Sequence, residues 1–339
     1  MPNHFIIYVL GEVLEGVGKH LAQIIKLYDY ISRYEIDAYR YPSQFIRLKH
    51  QQWDKVSKAW ENNMFHTVMK VSEQPINTQK GTKGRFFEKF KNKFSKEEEP
   101  LKEVKPFIRE AVLEDDELQF SFTTIPRTQE DLKHLFLDYI FRFQVRWASS
   151  TIREKSSVDQ AIYRDLLLQY FAKRLPDHYL LLYRPVFKLK NAPVELDMIL
   201  IGTTEVYCIT VVEEQNGTVF TGSKEKFWIA RKGEDQKKIL NPLLSLNRTG
   251  AVAQALITSN NIDLTVKKLV ISRNGYIDYP FAPYDITILD KRSYSEWFQR
   301  LRQTSAPIKH TQLKGAQVLL SHCLTNSYYR KEWNETETP

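Results

Sequence analysis

The sequence predicts an α/β fold in which a mixed β-sheet is flanked by helices and preceded by a helical region. Three apolar runs rich in β-branched residues, at 194–201, 205–213 and 217–222, predict adjacent strands. Apolar residues that recur every three or four positions predict helices before and after these runs. The order helix, three strands, helix, strand, strand is typical of one compact mixed domain.

Residues 1–71 are predicted to be helical. Their apolar residues share one helical face, namely Val13, Leu14, Val17, Leu21, Ile24, Ile25 and Tyr28. Pro42 interrupts this pattern, and Ser43 is a suitable N-cap for a second helix that runs to about residue 60. This second helix interleaves basic and aromatic residues. An amphipathic helix with its aromatic rings packed inward is favoured over one that follows a phosphate backbone.

Residues 72–106 are predicted to be a charged linker, because they are polar, rich in turn-forming residues and bounded by proline. Within this linker, residues 84–96 form a short basic amphipathic pattern, with Phe86, Phe87, Phe90 and Phe94 on one face. Two interpretations remain open for this pattern. It can lie on an anionic membrane surface, or it can pack its aromatic face on its own protein.

Residues 107–150 are predicted to be a connecting region with a strand near 118–125 and a long aromatic helix. Thr128 can cap that helix, with acidic residues in its first turn. Another helix is predicted over 157–175 and ends at Pro176.

Residues 151–305 are predicted to form the main α/β domain. After a strand at 179–189 and the three strands above, we expect a helix at 241–258, strands at 266–272 and 284–289, and a helix at 293–303. Asn216-Gly217 predicts a tight hairpin between the second and third apolar runs. Residues 306–339 are predicted to be a final helix and a polar tail.

Composition favours a cytoplasmic protein with an anionic partner. The chain has 339 residues, 42% of them apolar and 13% aromatic, and a formal net charge of +8. No apolar run reaches the length of about 18 residues that a membrane-spanning helix needs, and no secretory signal is recognisable. The two cysteines, Cys208 and Cys323, are interpreted as reduced thiols. Motifs for nucleotide phosphates, dinucleotides or paired-histidine zinc sites are missing, so no small-molecule cofactor is indicated.

Acidic residues interrupt the first apolar run. Glu195 and Asp197 stand among apolar neighbours, and a carboxylate on a core strand is costly unless it is paired or binds a cation. This stretch is therefore the first place to look for a functional site.

Residues 155–303 resemble the nuclease-related domain, NERD, a family found in many bacterial proteins. The resemblance is carried by the sequence of residues 174–211, by Trp228, by the pair Asn241-Pro242, and by the terminal order helix, strand, strand. The family belongs to the restriction-endonuclease-like PD-(D/E)xK superfamily. The resemblance therefore implies a restriction-endonuclease-like mixed sheet and a nuclease-related function.

The resemblance also implies a particular metal chemistry. In the superfamily an acid on one strand, matched here by Asp197, holds Mg²⁺ or Mn²⁺. A Glu-x-Lys pair on the next strand supplies a second ligand and a lysine that helps to generate the attacking hydroxide. The two residues must be two positions apart, because only residues i and i+2 share one face of a strand.

This sequence departs from that pattern. If it is aligned at the start of the strand, Thr210 and Val212 occupy the acid and lysine positions; if it is aligned at Gly217, Val211 and Glu213 occupy them. Ser245 stands where the family has glutamine. We therefore predict a degenerate active site and a non-catalytic protein that binds nucleic acid, with DNA as the leading partner.

The predicted site residues follow from this interpretation. The metal and catalytic candidates are Asp197, Glu213 and Lys224, with Glu195, Glu214 and Lys226 as alternates. The candidate nucleic-acid contacts are Lys188, Lys190, Lys226, Arg231 and Lys232. Two alternatives stay open. One is an active Mg²⁺-dependent endonuclease or phosphodiesterase with migrated catalytic residues, and the other is a membrane-surface or protein-interaction scaffold.

Overall fold

A computed structural model describes residues 21–64, 126–189 and 192–325. The chain divides into two compact units, one of residues Met1–Asp54 with Thr128–Pro339 and one of Lys55–Arg127. In the described part of the smaller unit, the indole Nε1 of Trp60 donates a hydrogen bond of 3.1 Å to the carbonyl of Pro126. No helix within the described ranges is long and apolar enough to cross a bilayer. The predicted linker 72–106 and the predicted strand near 118–125 lie outside these ranges.

The elements of the described residues are numbered here in chain order. The helices are Arg33–Ile36 (α1), Tyr41–Glu61 (α2), Gln129–Trp147 (α3), Gln160–Arg164 (α4), Leu166–Arg174 (α5), Pro242–Ser259 (α6), Tyr294–Gln303 (α7) and His310–Ser321 (α8). The strands are Gln23–Leu27 (β1), Leu180–Tyr183 (β2), Val186–Lys188 (β3), Pro193–Glu195 (β4), Met198–Ile201 (β5), Glu205–Val211 (β6), Val219–Thr221 (β7), Phe227–Lys232 (β8), Asp235–Leu240 (β9), Thr265–Ile271 (β10), Tyr276–Asp278 (β11) and Ile286–Leu289 (β12).

The main sheet has six strands in the order β1-β2-β5-β6-β10-β12. β5 runs antiparallel to β2 and β6, whereas β1 is parallel to β2, and β10 is parallel to β6 and β12. Helix α6 packs on β6 and β10, and α3 packs on β1. The predicted mixed sheet flanked by helices is therefore confirmed.

The helix predicted through residues 21–28 is wrong. Gln23–Leu27 is a fully buried strand whose parallel partner is β2. A parallel strand buried on both faces carries apolar residues almost continuously, so a subset of them also fits helical spacing. The earlier residues of the same pattern, Val13, Leu14 and Val17, lie outside the described ranges.

A buried lysine lies on β1. The side chain of Lys26 is 0% exposed and forms an ion pair with Glu35 of α1. Its Nζ also donates to the carbonyl of Tyr30 at 2.7 Å and to the hydroxyl of Thr325 at 3.2 Å. Glu35 completes a capping box by accepting a hydrogen bond from the backbone N–H of Ser32, so one carboxylate serves both α1 and β1.

Helix α2 begins earlier than predicted. It starts at Tyr41, so Pro42 lies in its first turn and Ser43 is not its N-cap. Proline is tolerated there because the first helical N–H groups have no partner within the helix. The inward packing of Phe45 is confirmed, because its side chain is fully buried. Lys49 is also buried, at 2.5 Å from Asp177, and burial lowers the pKa of Lys49.

The helix predicted over 157–175 is two helices, because Asp165 separates α4 from α5. Its Oδ1 accepts hydrogen bonds of 2.9 Å from the N–H groups of Leu167 and Leu168, and its Oδ2 accepts one of 2.7 Å from the hydroxyl of Tyr183. An aspartate side chain that accepts hydrogen bonds from nearby backbone N–H groups is more favourable at a helix N-cap than inside a helix. Thr128 caps α3 as predicted.

The hairpin predicted at Asn216-Gly217 is also wrong. Gly217 does turn the chain, with a φ of +83°. However, β7 pairs with β8 and β11 instead of β6, in a second sheet of order β11-β7-β8-β9. The inner face of this second sheet packs against α6 and the main sheet through a shared cluster that includes Phe220, Trp228 and Leu246.

Candidate functional site

Asp197 is half-buried between β4 and β5, beside the paired residues Met198 and Ile209. The hydroxyl of Thr210 on β6 donates a hydrogen bond to Oδ2 of Asp197. The backbone N–H of Asp197 donates to Oγ1 of Thr249, a fully buried residue of α6, at 2.9 Å. Asp197 is thus fixed between the neighbouring strand and the helix that covers the sheet.

The two positions that would complete a metal site hold the wrong chemical groups. In the alignment at the strand start, Thr210 offers a neutral hydroxyl in place of a carboxylate, and Val212 packs against the apolar cluster in place of a lysine. Magnesium is bound through carboxylates, other oxygen ligands and water in near-octahedral geometry. No group of three or more His, Cys, Asp or Glu side chains that would suit a metal occurs among the described residues. The residues present do not fit the metal site that the resemblance implies.

A lysine that the sequence analysis missed lies on the same face of the sheet. Lys268 of β10 is opposite Cys208 of β6. Its Nζ donates to Oδ1 of Asn247 at 2.8 Å and pairs with Asp285 at 2.5 Å, which lowers the pKa of Asp285. The signal was present in the sequence, because a lysine inside the apolar run of β10 has the same anomaly as Asp197.

The pKa of the Cys208 thiol is affected by both Asp197 and Lys268. The pKa of Cys208 is raised to about 12, chiefly by burial and also by the charge of Asp197, while the charge of Lys268 opposes the rise. A thiol with so high a pKa is protonated at neutral pH and is a poor nucleophile. The interpretation of Cys208 as a buried reduced thiol fits this environment.

Gly250 allows Lys268 to pass beneath α6. A Cβ atom at residue 250 would lie 2.6 Å from Cδ of Lys268, whose Nζ is already held by two partners. We therefore expect Gly250→Ala to destabilise the protein by about 1 kcal/mol. The free-energy cost of overpacking against Lys268 exceeds the free energy gained from the higher helix propensity of alanine. In a Lys268→Ala background the same change is expected to be neutral or stabilising, and urea denaturation of the four variants measures the difference. Equal effects of Gly250→Ala in both backgrounds would contradict this account.

The predicted second acids are engaged elsewhere. Glu213 accepts a hydrogen bond of 2.6 Å from Nη2 of Arg273 and one of 3.2 Å from its backbone N–H, and the guanidinium carbon lies 4.3 Å from the ring centroid of Tyr170. Glu214 pairs with Lys237 at 2.6 Å, and Glu195 pairs with Arg184 at 2.7 Å. Each of these three carboxylates is thus neutralised by a base, and none of these pairs includes Asp197.

The predicted basic contacts lie mainly on and beside β8 of the second sheet. Lys224, Lys226, Arg231 and Lys232 are exposed there, and Nζ of Lys232 donates to the carbonyl of Asn216 at 2.8 Å. Lys188 is exposed on β3, away from this group in the chain, and Lys190 lies outside the described residues.

Among the described residues, no element covers one face of the second sheet. Because Phe220, Trp228 and Ala230 point inward, the alternate residues point outward. We call these residues the outer face: Val219, Thr221, Phe227, Ile229, Arg231, Gln236, Lys238 and Leu240. Phe227 is 47% exposed, with Nζ of Lys226 at 5.6 Å from its ring centroid. The outer face thus combines an exposed ring with nearby cations.

Comparison with known proteins finds a family model that covers the residues of this site. Residues 161–272 match the family model described as nuclease-related domain, a span that runs from α4 through β10 and includes Asp197, Thr210 and Thr249. A segment of 53 residues is 47% identical to a protein named RNA 2',3'-cyclic phosphodiesterase from Geobacillus stearothermophilus. That segment covers 16% of this chain and 17% of the relative's length. No solved structure matches the chain.

Proposed function

We propose, for a chain whose residues 161–272 carry a nuclease-related domain, that this domain binds nucleic acid without cleaving it. The observation that carries the proposal is the hydrogen bond from the Thr210 hydroxyl to Asp197, at the position where a second carboxylate would share a metal. A lone carboxylate held by a hydroxyl gives little affinity for a divalent cation, which needs several oxygen ligands.

The outer face of the second sheet is the surface that we assign to binding. Arg231 and Lys238 lie on this face and Lys226 borders it, so all three can neutralise phosphates, and Phe227 offers a ring on which a base can stack. A stacking ring is accessible only to bases that are not enclosed in a duplex, which favours a single strand. Lys224, Lys232, Lys188 and Lys190 are proposed as additional phosphate contacts outside this face.

The identity of the nucleic acid is left to experiment. The resemblance to the nuclease-related domain favours DNA, and the similarity to a protein named RNA 2',3'-cyclic phosphodiesterase makes RNA the first probe to compare with it. A cytoplasmic location is part of the same proposal and is supported by the two free thiols, Cys208 and Cys323.

Binding is expected to depend on the outer face and on salt. We expect the combined change Arg231→Gln and Lys238→Gln to weaken binding of a single-stranded 20-mer at least about tenfold. The slope of log affinity against log salt should fall by about 0.7 for each phosphate contact removed. Phe227→Ser should weaken binding without changing this slope, because stacking releases no counterions. Fluorescence anisotropy at several salt concentrations gives both quantities.

The control for this prediction is Arg153→Gln, which removes an exposed arginine from the segment between α3 and α4. It removes one positive charge, against two in the outer-face variant, and should leave affinity nearly unchanged. Failure of the wild-type protein to bind either probe at low salt would overturn the proposal, as would equal affinity of the outer-face variants and the control.

Cleavage is a separate outcome that tests the second half of the proposal. We expect no cleavage of labelled RNA or DNA in the presence of Mg²⁺ or Mn²⁺. Cleavage that Asp197→Ala abolishes would instead support an active nuclease with migrated residues, for which Lys268 on the same sheet face is the supporting observation. The scaffold alternative depends on residues 84–96, outside the described ranges, and co-sedimentation with anionic liposomes tests it.

A further inference from the structure

A cavity of about 430 Å³ opens on the face of the main sheet opposite α6. Its floor is formed by Tyr207 near the start of β6 and by Lys267 and Leu269 of β10, and its wall is formed by Trp297 and Arg300 of α7. Pockets that bind small molecules span roughly 300–1,000 Å³. The cavity lies on a different face from Asp197 and belongs to a different sheet from the outer face.

Two cations, Lys267 and Arg300, line this cavity together with the carboxylate of Glu205. Lys267 and Arg300 are both exposed, and neither has a carboxylate within salt-bridge distance in the part of the chain that the structure describes. The adjacent Lys268, by contrast, is bound to Asn247 and Asp285 on the other face. A guanidinium and an ammonium in the lining of one cavity, neither of them in a salt bridge among the described residues, favour a ligand with a phosphate group.

The other lining residues suit a ligand that carries an aromatic ring and hydroxyl groups. Trp297 is only 8% exposed and meets Tyr207 edge to face, with 6.0 Å between ring centroids. The Tyr207 hydroxyl donates to Glu205, which fixes the phenol and leaves the carboxylate able to accept further hydrogen bonds. Thr204 and Thr287 belong to the same lining. A carboxylate in this position repels a ligand that is anionic throughout, but it can accept hydrogen bonds from sugar hydroxyls.

We propose that this cavity binds a nucleoside monophosphate. Lys267 and Arg300 bind the phosphate, Glu205 accepts hydrogen bonds from the sugar, and the base packs against the aromatic side chains. No phosphate-binding loop is needed, because the cations come from side chains on a strand and a helix. The cavity is independent of the nucleic-acid surface proposed above and can exist without it.

Isothermal titration calorimetry of the full chain with each of the four ribonucleoside monophosphates tests this proposal. We expect at least one to bind, and its nucleoside and inorganic phosphate to bind at least about tenfold more weakly. Arg300→Gln and Lys267→Gln should each weaken nucleotide binding about tenfold or more, with no effect on nucleoside binding. Arg153→Gln should change nothing, since it alters charge outside the cavity.

The proposal would be overturned by no binding of any nucleotide, by equal binding of inorganic phosphate, or by unchanged affinity in both cavity variants. The same Arg300→Gln protein is also measured against the single-stranded 20-mer. Unchanged 20-mer binding with lost nucleotide binding separates the two sites. Lost nucleotide binding in the outer-face variants would place the nucleotide on the second sheet and contradict the assignment to this cavity.

Discussion

Replacing Glu35 with alanine is expected to lower the free energy of unfolding by about 3 kcal/mol. The change leaves the ammonium group of Lys26 inside the protein without a counter-charge, since its side chain is 0% exposed. The carbonyl of Tyr30 and the hydroxyl of Thr325 remain as hydrogen-bond partners but cannot neutralise it. Removing one member of a buried pair costs about 3–5 kcal/mol, and the lower end applies because Glu35 itself is 21% exposed.

Two further variants separate charge from capping. Glu35→Gln keeps a side chain that can complete the capping box with Ser32 and removes only the charge, so its cost should lie below that of alanine. Lys26→Met removes the buried charge and retains volume, so it should cost less than Glu35→Ala. Urea denaturation measures all three. If Glu35→Ala costs under about 1 kcal/mol, the ion pair does not stabilise the fold as argued.

Trp228→Ala is expected to cost about 3–5 kcal/mol, the range for truncating a large buried aromatic side chain. Trp228 is fully buried and belongs to the cluster that joins the second sheet to α6 and the main sheet. It also packs edge to face on Tyr279, with 5.5 Å between ring centroids. The lost contacts therefore come from both sides of the interface between the sheets.

The hydrogen bond of Trp228 is tested by a smaller change. Its Nε1 donates to the carbonyl of Ser223 at 3.0 Å, and the side chain of Asn241 donates to the same oxygen at 3.2 Å. Trp228→Phe leaves that carbonyl with one donor, so we expect it to cost less than half as much as alanine. Thermal and urea unfolding provide the measurement. A cost below about 1 kcal/mol for Trp228→Ala would mean that the second sheet does not depend on this side chain for its attachment.

Local sequence signals predicted those elements whose ends are marked by local chemistry. Thr128 with its first-turn acids predicts the start of α3, and the helix predicted at 241–258 is found as α6, with Pro242 in its first turn. The sequence did not predict which strand each strand pairs with. Asn216-Gly217 specifies a turn but not which strand the returning chain joins, and β7 pairs with β8 instead of β6. The apolar run of β1 fits both a helix and a buried strand, and its pairing with β2 determines that it is a strand.

The sequence predicts the neighbours of Asp197 on the adjacent strand β6, but not those that come from the covering helix or from β10. Antiparallel strands place Thr210 beside Asp197, so the departure from the expected acid was visible in the sequence. Thr249 reaches the same neighbourhood from a helix, through packing that no local spacing encodes. Lys268 stands out in the sequence as a charge within an apolar run, but its position beneath α6 also depends on packing between layers. Glu213 was a reasonable second acid until Arg273, 60 residues later, was found to hold it.

The pairing of β1 with β2 has a consequence for synthesis on the ribosome. Gln23 pairs with Leu180, so β1 is translated long before β2, its partner within the described ranges, exists. Contacts between residues so distant in the chain close slowly, and an apolar segment that waits for its partner is exposed to aggregation. The nascent chain should therefore be most dependent on chaperones during the interval before residue 183 emerges from the exit tunnel.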